Sequence, residues 1–293
     1  VLINAGGPWV SDIIHNVLRV NTPEKVRLVR GSHIVVPKIW DHGKCYFFQG
    51  NDGRIIFAIP YETDFTLIGT TDIDHIELDE KPKCNELEKN YLINFANQYF
   101  DTELKVEDIV WTYSGVRPLQ DTSEGNATAV TRDYSIKVNW ENEVPLINIF
   151  GGKITTYRKL SESVLNEVAA FFPKMRGPWT AKAYLPGGDF SVNGVSDLIM
   201  DLLKDYPFLT EKWAARLVKA YGREAFEMLG SVRNEDDLGI NFGATLTQKE
   251  VEWLIREEFA TSAEDILWRR SKLGLRMGAL QVKNLQNFIA SQT

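Results

Sequence analysis

This sequence is short of cysteine, of basic charge and of long apolar runs, and each shortage removes a class of protein. Its two cysteines, Cys45 and Cys84, have no metal-ligand spacing, so neither a disulfide scaffold nor a cysteine-ligated zinc site is expected, and free thiols in a reducing compartment fit best. Lys and Arg number 33 against 40 Asp and Glu, a net charge of −7. That argues against nucleic-acid binding, which needs a basic surface, but leaves room for a local basic pocket. No apolar run approaches the roughly 20 residues that cross a bilayer, and no signal peptide is visible. No segment repeats at a fixed period or is low in complexity. There is no initiator Met: the chain opens on Val1-Leu2-Ile3-Asn4, which reads as the middle of a strand, so a fragment lacking an N-terminal part is expected.

What is present is ordinary globular material. The 293 residues are 44% hydrophobic and 25% charged, enough for two domains or more. The most informative stretch is Leu146-Ile147-Asn148-Ile149-Phe150-Gly151-Gly152-Lys153-Ile154-Thr155-Thr156-Tyr157. Val144 to Phe150 is rich in β-formers and too short for a buried helix. From Lys153 the period changes, and Tyr157, Leu160, Val164, Leu165, Val168 and Phe172 fall on one helical face. Gly151 and Gly152 between them let backbone approach a flat or bulky group. The helix start offers unpaired N–H groups and a positive dipole end, with Lys153 adding charge and Thr155 and Thr156 hydroxyls. The same residues also suit an ordinary strand–helix turn with a snorkelling lysine.

A similar unit opens the chain. Val1–Ala5 reads as a strand, Gly6-Gly7-Pro8 as a turn, and Val10, Ile13, Ile14, Val17 and Leu18 as one helix face, with Pro8 in the first turn. Strands are expected at 27–37, 45–49, 54–60 and 65–71, with turns at Asn51-Asp52-Gly53 and Glu62-Thr63-Asp64. Residues 86–99 read as one helix, and 106–117, 127–132 and 135–139 as strands. Beyond the breakers Pro173, Gly177-Pro178 and Pro186-Gly187-Gly188, the pattern is helical to the end. Thr247 and Glu250 have capping-box spacing.

Four cationic or titratable positions end apolar strand patterns: His33 after Arg30-Gly31-Ser32, Arg117 after Ser114-Gly115-Val116, Arg132 after Thr131, and Lys153. An arginine fork can hold a phosphate and a histidine can act as a base near neutral pH. Singly, each is equally a solvated or ion-paired surface residue. His15 and His42 read as solvated. The acidic run Asp72, Asp74, Glu77 and Asp79 lacks calcium-loop spacing, so no metal is expected. Trp268-Arg269-Arg270 with Lys272 is either a structural pairing or a patch for a partner or anionic lipid.

Taken in order, Asn4-Ala5-Gly6-Gly7-Pro8-Trp9, Arg30-Gly31-Ser32-His33-Ile34-Val35-Val36-Pro37, Ile68-Gly69-Thr70-Thr71-Asp72, Trp111–Leu119 with Ser114-Gly115-Val116-Arg117-Pro118, Thr131-Arg132-Asp133-Tyr134 and Phe150–Leu160 with Gly151-Gly152-Lys153 resemble the FAD-dependent, respiratory glycerol-3-phosphate dehydrogenases of bacterial type. The likeness continues through Leu185-Pro186-Gly187-Gly188 and Asp265–Lys272 and covers essentially the whole chain. One departure is plain: the G-x-G-x-x-G fingerprint with which that family begins does not occur.

The resemblance implies an α+β or α/β fold in three parts. Residues 1–20 and 141–175 would be the remainder of a Rossmann-like flavin-binding domain, 21–140 an antiparallel substrate-binding sheet, and 180–293 a separate all-α domain. It implies FAD against Ala5, Gly6, Gly7, Gly151, Gly152, Lys153, Ile154 and Thr155. It implies Arg117 and Arg132 as anchors for substrate phosphate and hydroxyls, and either His33 or Lys153 as the base. The expected reaction is oxidation of sn-glycerol 3-phosphate to dihydroxyacetone phosphate with electrons passed to quinone. The enzyme would sit on the cytoplasmic face of the inner membrane as a peripheral protein, and a homodimer is compatible. The missing fingerprint puts FAD binding and turnover by this chain alone in question. The rivals are a related oxidase that uses oxygen and a non-catalytic module whose helical domain docks a partner or membrane.

Overall fold

Period-two alternation between residues 26 and 69 builds the sheet that carries the site in the computed structural model, which describes residues 1–20, 25–76, 81–120, 133–141 and 144–292. The chain divides into two units, Val1–Ala181 and Lys182–Thr293.

The first unit holds two sheets. In the larger, the long strand β2 (Val26–Pro37) is the organiser. It pairs antiparallel with β5 (Phe65–Gly69), with the short β6 (Ile73–Asp74) and, along ten positions, with β7 (Trp111–Gln120). The meander β3 (Tyr46–Gln49) and β4 (Ile55–Tyr61) extends it beyond β5. These strands lie within two residues of the expected ones at most ends, because the turn chemistry is explicit. Gly53 takes φ +78°, and Glu62 and Thr63 take φ +47° and +70°.

One face of this sheet packs on a helix, α2 (Glu86–Ala96). Ile34, Val36, Ile56, Ala58 and Ile68 meet Leu92, Ile93, Phe95 and Ala96 there. Each fully buried Ile or Leu contributes about 1.5–3 kcal/mol. The helix is shorter than the expected span to residue 99, and Leu87 is 81% exposed rather than buried. The phase is set instead by Glu88, whose carboxylate turns inward and closes a capping box with Asn85. Likewise Val106–Asp108 forms a 3₁₀ turn, not the start of a strand; β7 begins at Trp111. The strand expected at 127–132 lies outside the described residues.

In the smaller sheet, β1 (Leu2–Asn4) runs parallel to β9 (Val144–Phe150), and β8 (Ser135–Glu141) pairs antiparallel with β9. Ser135–Glu141 therefore joins the β1–β9 sheet, whereas a boundary at residue 140 would assign most of it to the substrate sheet. After β1 the chain makes a 3₁₀ turn at Gly7–Trp9, one α-turn at Val10–Asp12 (α1) and a π-helical turn at Ile13–Val17. Val10 and Ile14 pack on Phe150, but Val17 is 67% exposed: the wider turn throws the expected stripe out of register. After β9, helix α3 (Tyr157–Val168) buries Val164 and Val168 against Ile147.

The second unit is predominantly helical: α4 (Val195–Asp205), α5 (Glu211–Tyr221), α6 (Glu224–Leu229), α7 (Gln248–Arg256) and α8 (Ala279–Gln292) enclose a core that includes Leu202, Leu217, Trp213, Trp253 and Leu254. It is not purely helical, since Asn241–Gly243 and Leu246–Thr247 form a small hairpin. The expected Thr247 capping box is absent. Glu250 is buried instead and accepts both Nη atoms of Arg216 (2.6 and 2.7 Å) and the Tyr221 hydroxyl (2.8 Å). The basic patch is also internally paired. Arg269 meets Glu264 and Asp265, Arg270 donates to the Glu258 carbonyl, and Lys272 donates to that of Arg269.

Candidate active site

Parallel pairing of β1 with β9 puts their carboxyl ends side by side, and each ends in glycines. Asn4 and Asn148, opposite each other in register, are both buried and joined by an Asn4 Nδ2–Asn148 Oδ1 hydrogen bond of 3.0 Å. Asn4 Nδ2 also donates to the Val10 carbonyl, and the Gly6 N–H donates to Asn4 Oδ1. These bonds fix the first glycine turn against the second. In open α/β sheets this crevice beyond the strand ends is where ligands bind.

The second turn needs glycine. Gly151 and Gly152 have φ +67° and +108°, and a Cβ on Gly151 would sit 3.0 Å from the Asp133 carbonyl oxygen and 3.6 Å from that of Pro118. Lys153 is extended, its carbonyl accepts the Thr156 N–H and hydroxyl, and Ile154–Thr156 is a 3₁₀ turn. Lys153 therefore does not open the α-helix directly, as the spacing suggests; α3 starts at Tyr157, because two left-handed glycines leave the backbone outside helical geometry. Lys153 Nζ stands 3.6 Å from Asp133 Oδ1, and both side chains are more than half exposed, so the pair is weak. Ala5 and Thr155 are exposed, Gly6, Gly7 and Gly151 half-buried, and Ile154 is 88% exposed.

The large sheet turns its other face, the odd-numbered residues of β2, to a different set of groups. His33, Gly69 and Phe57 share one row across β2, β5 and β4, and Tyr113 continues it on β7. The His33 and Tyr113 rings stack at 4.8 Å and 6°. Gly69 makes room for the imidazole, since a Cβ there would clash with the edge of the ring. Gly69→Ala is therefore expected to push the imidazole out of its stack on Tyr113. Two residues back on the same face, the Arg117 guanidinium lies over Gly31, donates from Nη1 to Asp72 Oδ1 at 2.7 Å and from Nη2 to Thr70 Oγ1 at 3.1 Å.

Burial, and after it the Arg117 charge, lowers the His33 pKa from 6.5 to about 4. Its Nδ1 is buried with no hydrogen-bond partner among the described residues. Burial raises Tyr113, and burial with the neighbouring Tyr113 and Glu62 pushes Tyr61 up to about 12, so both phenols stay protonated donors. The strand bearing Arg117 runs on to Pro118, beside Gly151, and β7 also touches the Gly7–Trp9 turn. The fold thus gathers Arg117 and both glycine turns in one region, with His33 on the same sheet face as Arg117. Arg132 lies outside the described residues. Spacing alone passed over Gly31, Tyr61, Gly69, Asp72 and Tyr113 as site residues; strand alternation from His33 and Arg117 was the signal that picks out Gly31 and Tyr113.

The parallel strand pair with its glycine turns, and the antiparallel sheet bearing His33 and Arg117, match the fold of FAD-dependent oxidoreductases. The family model described as FAD dependent oxidoreductase matches residues 1–138, and that described as the C-terminal domain of alpha-glycerophosphate oxidase matches 178–290. A glycerol-3-phosphate dehydrogenase of Pseudomonas aeruginosa is 42% identical over 292 residues, 99% of this chain and 57% of its own length. A D-erythritol 1-phosphate dehydrogenase of Brucella abortus is 42% identical over 272 residues, 92% of this chain and 54% of its own. The solved FAD-complexed glycerol-3-phosphate dehydrogenase of Bacillus halodurans shares the fold, with a TM-score of 0.76 at 23% identity over 99% of this chain and 61% of its own. This chain belongs to the FAD-dependent glycerol-3-phosphate dehydrogenase family. It spans a little over half the length of these curated relatives.

Proposed function

We propose that the protein of which this chain is part oxidises sn-glycerol 3-phosphate to dihydroxyacetone phosphate with FAD. The observation that supports the proposal is the convergence of Arg117 with the two glycine turns: its strand passes the Gly151 turn at Pro118, the next residue, and also meets the Gly7–Trp9 turn. The residues present fit a flavin. Gly7 (φ +55°) has nothing within 4 Å of the position a Cβ would take, Gly151 and Gly152 expose backbone, and Ile154 offers an apolar surface to a flat ring. FAD, when bound, supplies the hydride acceptor.

Ala5, Gly6 and Gly7 would line the dinucleotide, and Gly151, Gly152, Ile154 and Thr155 the ring. Lys153 and the turn that follows it favour negative charge at the ring edge. Arg117 holds the phosphate or a hydroxyl, with Arg132 as a second anchor. His33 takes the C2 hydroxyl proton. Its lowered pKa leaves the imidazole neutral and able to accept across neutral pH, whereas Lys153, exposed and cationic, is better suited to charge stabilisation than to proton abstraction.

A pH dependence follows. With the His33 pKa at about 4, kcat at saturating substrate should hold steady from neutral down to about pH 5, with no break near 6.5 from the imidazole. Removing the Arg117 charge raises the His33 pKa, so Arg117→Ala should move the acid limb upward. An acid limb centred near 6.5 in the unaltered enzyme, measured in kcat at saturating substrate so that titration of the free substrate phosphate does not enter, would remove His33 as the base.

Electrons would pass to quinone at the cytoplasmic face of the inner membrane, with the protein held peripherally; among the described residues no helix is long and apolar enough to cross a membrane. Quinone reduction compared with peroxide formation in the full-length protein separates dehydrogenase from oxidase. Sn-glycerol 3-phosphate should exceed D-erythritol 1-phosphate in kcat/KM by tenfold or more; the reverse order would reassign the substrate.

A further inference from the structure

The geometry points to Asp72 as a positioning residue that, with Gly31, fixes the Arg117 guanidinium in the orientation that receives an anionic substrate; this rests on the proposed role of Arg117. Three contacts define the arginine's pose. Asp72 Oδ1 takes Nη1 at 2.7 Å, Thr70 Oγ1 takes Nη2 at 3.1 Å, and the plane rests over the Cα of Gly31, where any Cβ would overlap it. Gly31 stands opposite Gly115 in the β2–β7 register, and a Cβ at Gly115 would meet nothing within 4 Å. Two facing glycines therefore leave a depression in the sheet that the guanidinium occupies from one side, with the facing position open.

Asp72 is itself held. Its carboxylate side chain is 15% exposed, and the preceding Thr71 is tied to β2 by the Ser32 N–H (2.9 Å) and to the buried Glu88 carboxylate (2.7 Å). A free arginine side chain samples many rotamers, so an anchored one binds an anion with less ordering cost. Asp72 touches neither ligand nor reacting atoms in this scheme, and its whole effect passes through Arg117.

A double-mutant cycle in the full-length, FAD-loaded enzyme separates this from a structural role. With glycerol 3-phosphate as substrate, Asp72→Ala and Gly31→Ala should each raise KM and lower kcat/KM about tenfold or more. In an Arg117→Ala background the same two substitutions should change kcat/KM by less than about twofold, because the group they position is gone. Equal losses in both backgrounds would overturn the positioning role. A loss of less than threefold from Arg117→Ala alone would instead remove the reading on which it rests. Retained flavin absorbance reports that each variant folds. Should Asp72→Ala fail to fold, Gly31→Ala, which acts from the opposite side of the same guanidinium, carries the test.

Discussion

Arg117→Ala, made in the full-length enzyme, is expected to lower kcat/KM for glycerol 3-phosphate by about a hundredfold or more. The arginine stands within its strand in a partly buried position, 29% exposed, with an aspartate and a threonine fixing its fork. A charge-assisted pair to a substrate phosphate contributes about 1.5–3 kcal/mol, and each 1.4 kcal/mol is about tenfold in rate. Steady-state kinetics at saturating acceptor measures the loss; a fall of less than about threefold would place Arg117 outside the active site.

Glu88→Ala should give the largest loss of stability in the first unit, about 3–5 kcal/mol, the range for breaking a buried ion pair by removing one partner. Glu88 is 1% exposed. It accepts from Arg30 at 3.0 Å, from the Asn85 N–H at 3.0 Å and from the Ser32 and Thr71 hydroxyls at 2.7 Å each. Alanine leaves the Arg30 charge and two hydroxyls without it and removes the Glu88 half of the α2 capping box, while Asn85 still caps the helix. Burial opposes ionisation of this carboxyl, but the Asn85, Ser32 and Thr71 hydrogen bonds and Arg30 outweigh it and hold its pKa below 4.5. A depressed carboxylate stabilises the fold above its unfolded pKa and loses that contribution as pH falls through the folded value. Denaturant unfolding of the unaltered protein should therefore weaken below about pH 4.5, and Glu88→Gln should flatten that dependence. A loss under about 1 kcal/mol for Glu88→Ala would show that the network is not a support.

Much of this arrangement was legible in the residues. Strands β2 to β5 of the large sheet were readable because Gly53 and the Glu62-Thr63 turn punctuate runs of β-forming residues. The turn at Gly151-Gly152 was readable because the period changes across it. Other features were hidden because tertiary contacts outvote local pattern. Glu88 takes a buried position that helical phase offers to Leu87, since four donors wait for a carboxylate there. Glu250 abandons a capping box for Arg216 and Tyr221 across the second core. The π-turn after α1 moves Val17 off its stripe. At the site, His33 and Arg117 stood out as titratable residues in apolar strand patterns, though both lie inside β2 and β7 and not at their ends. Asp72 and Gly69 did not, because their roles exist only once β5 and β6 flank β2.

The most direct measurement is the visible flavin spectrum of the full-length protein, reconstituted with FAD and mixed without oxygen with glycerol 3-phosphate. The expected result is bleaching of the flavin band by glycerol 3-phosphate, slowed in Arg117→Ala and in His33→Asn. A flavin spectrum that stays unchanged on adding glycerol 3-phosphate to the unaltered protein would contradict the proposed oxidation.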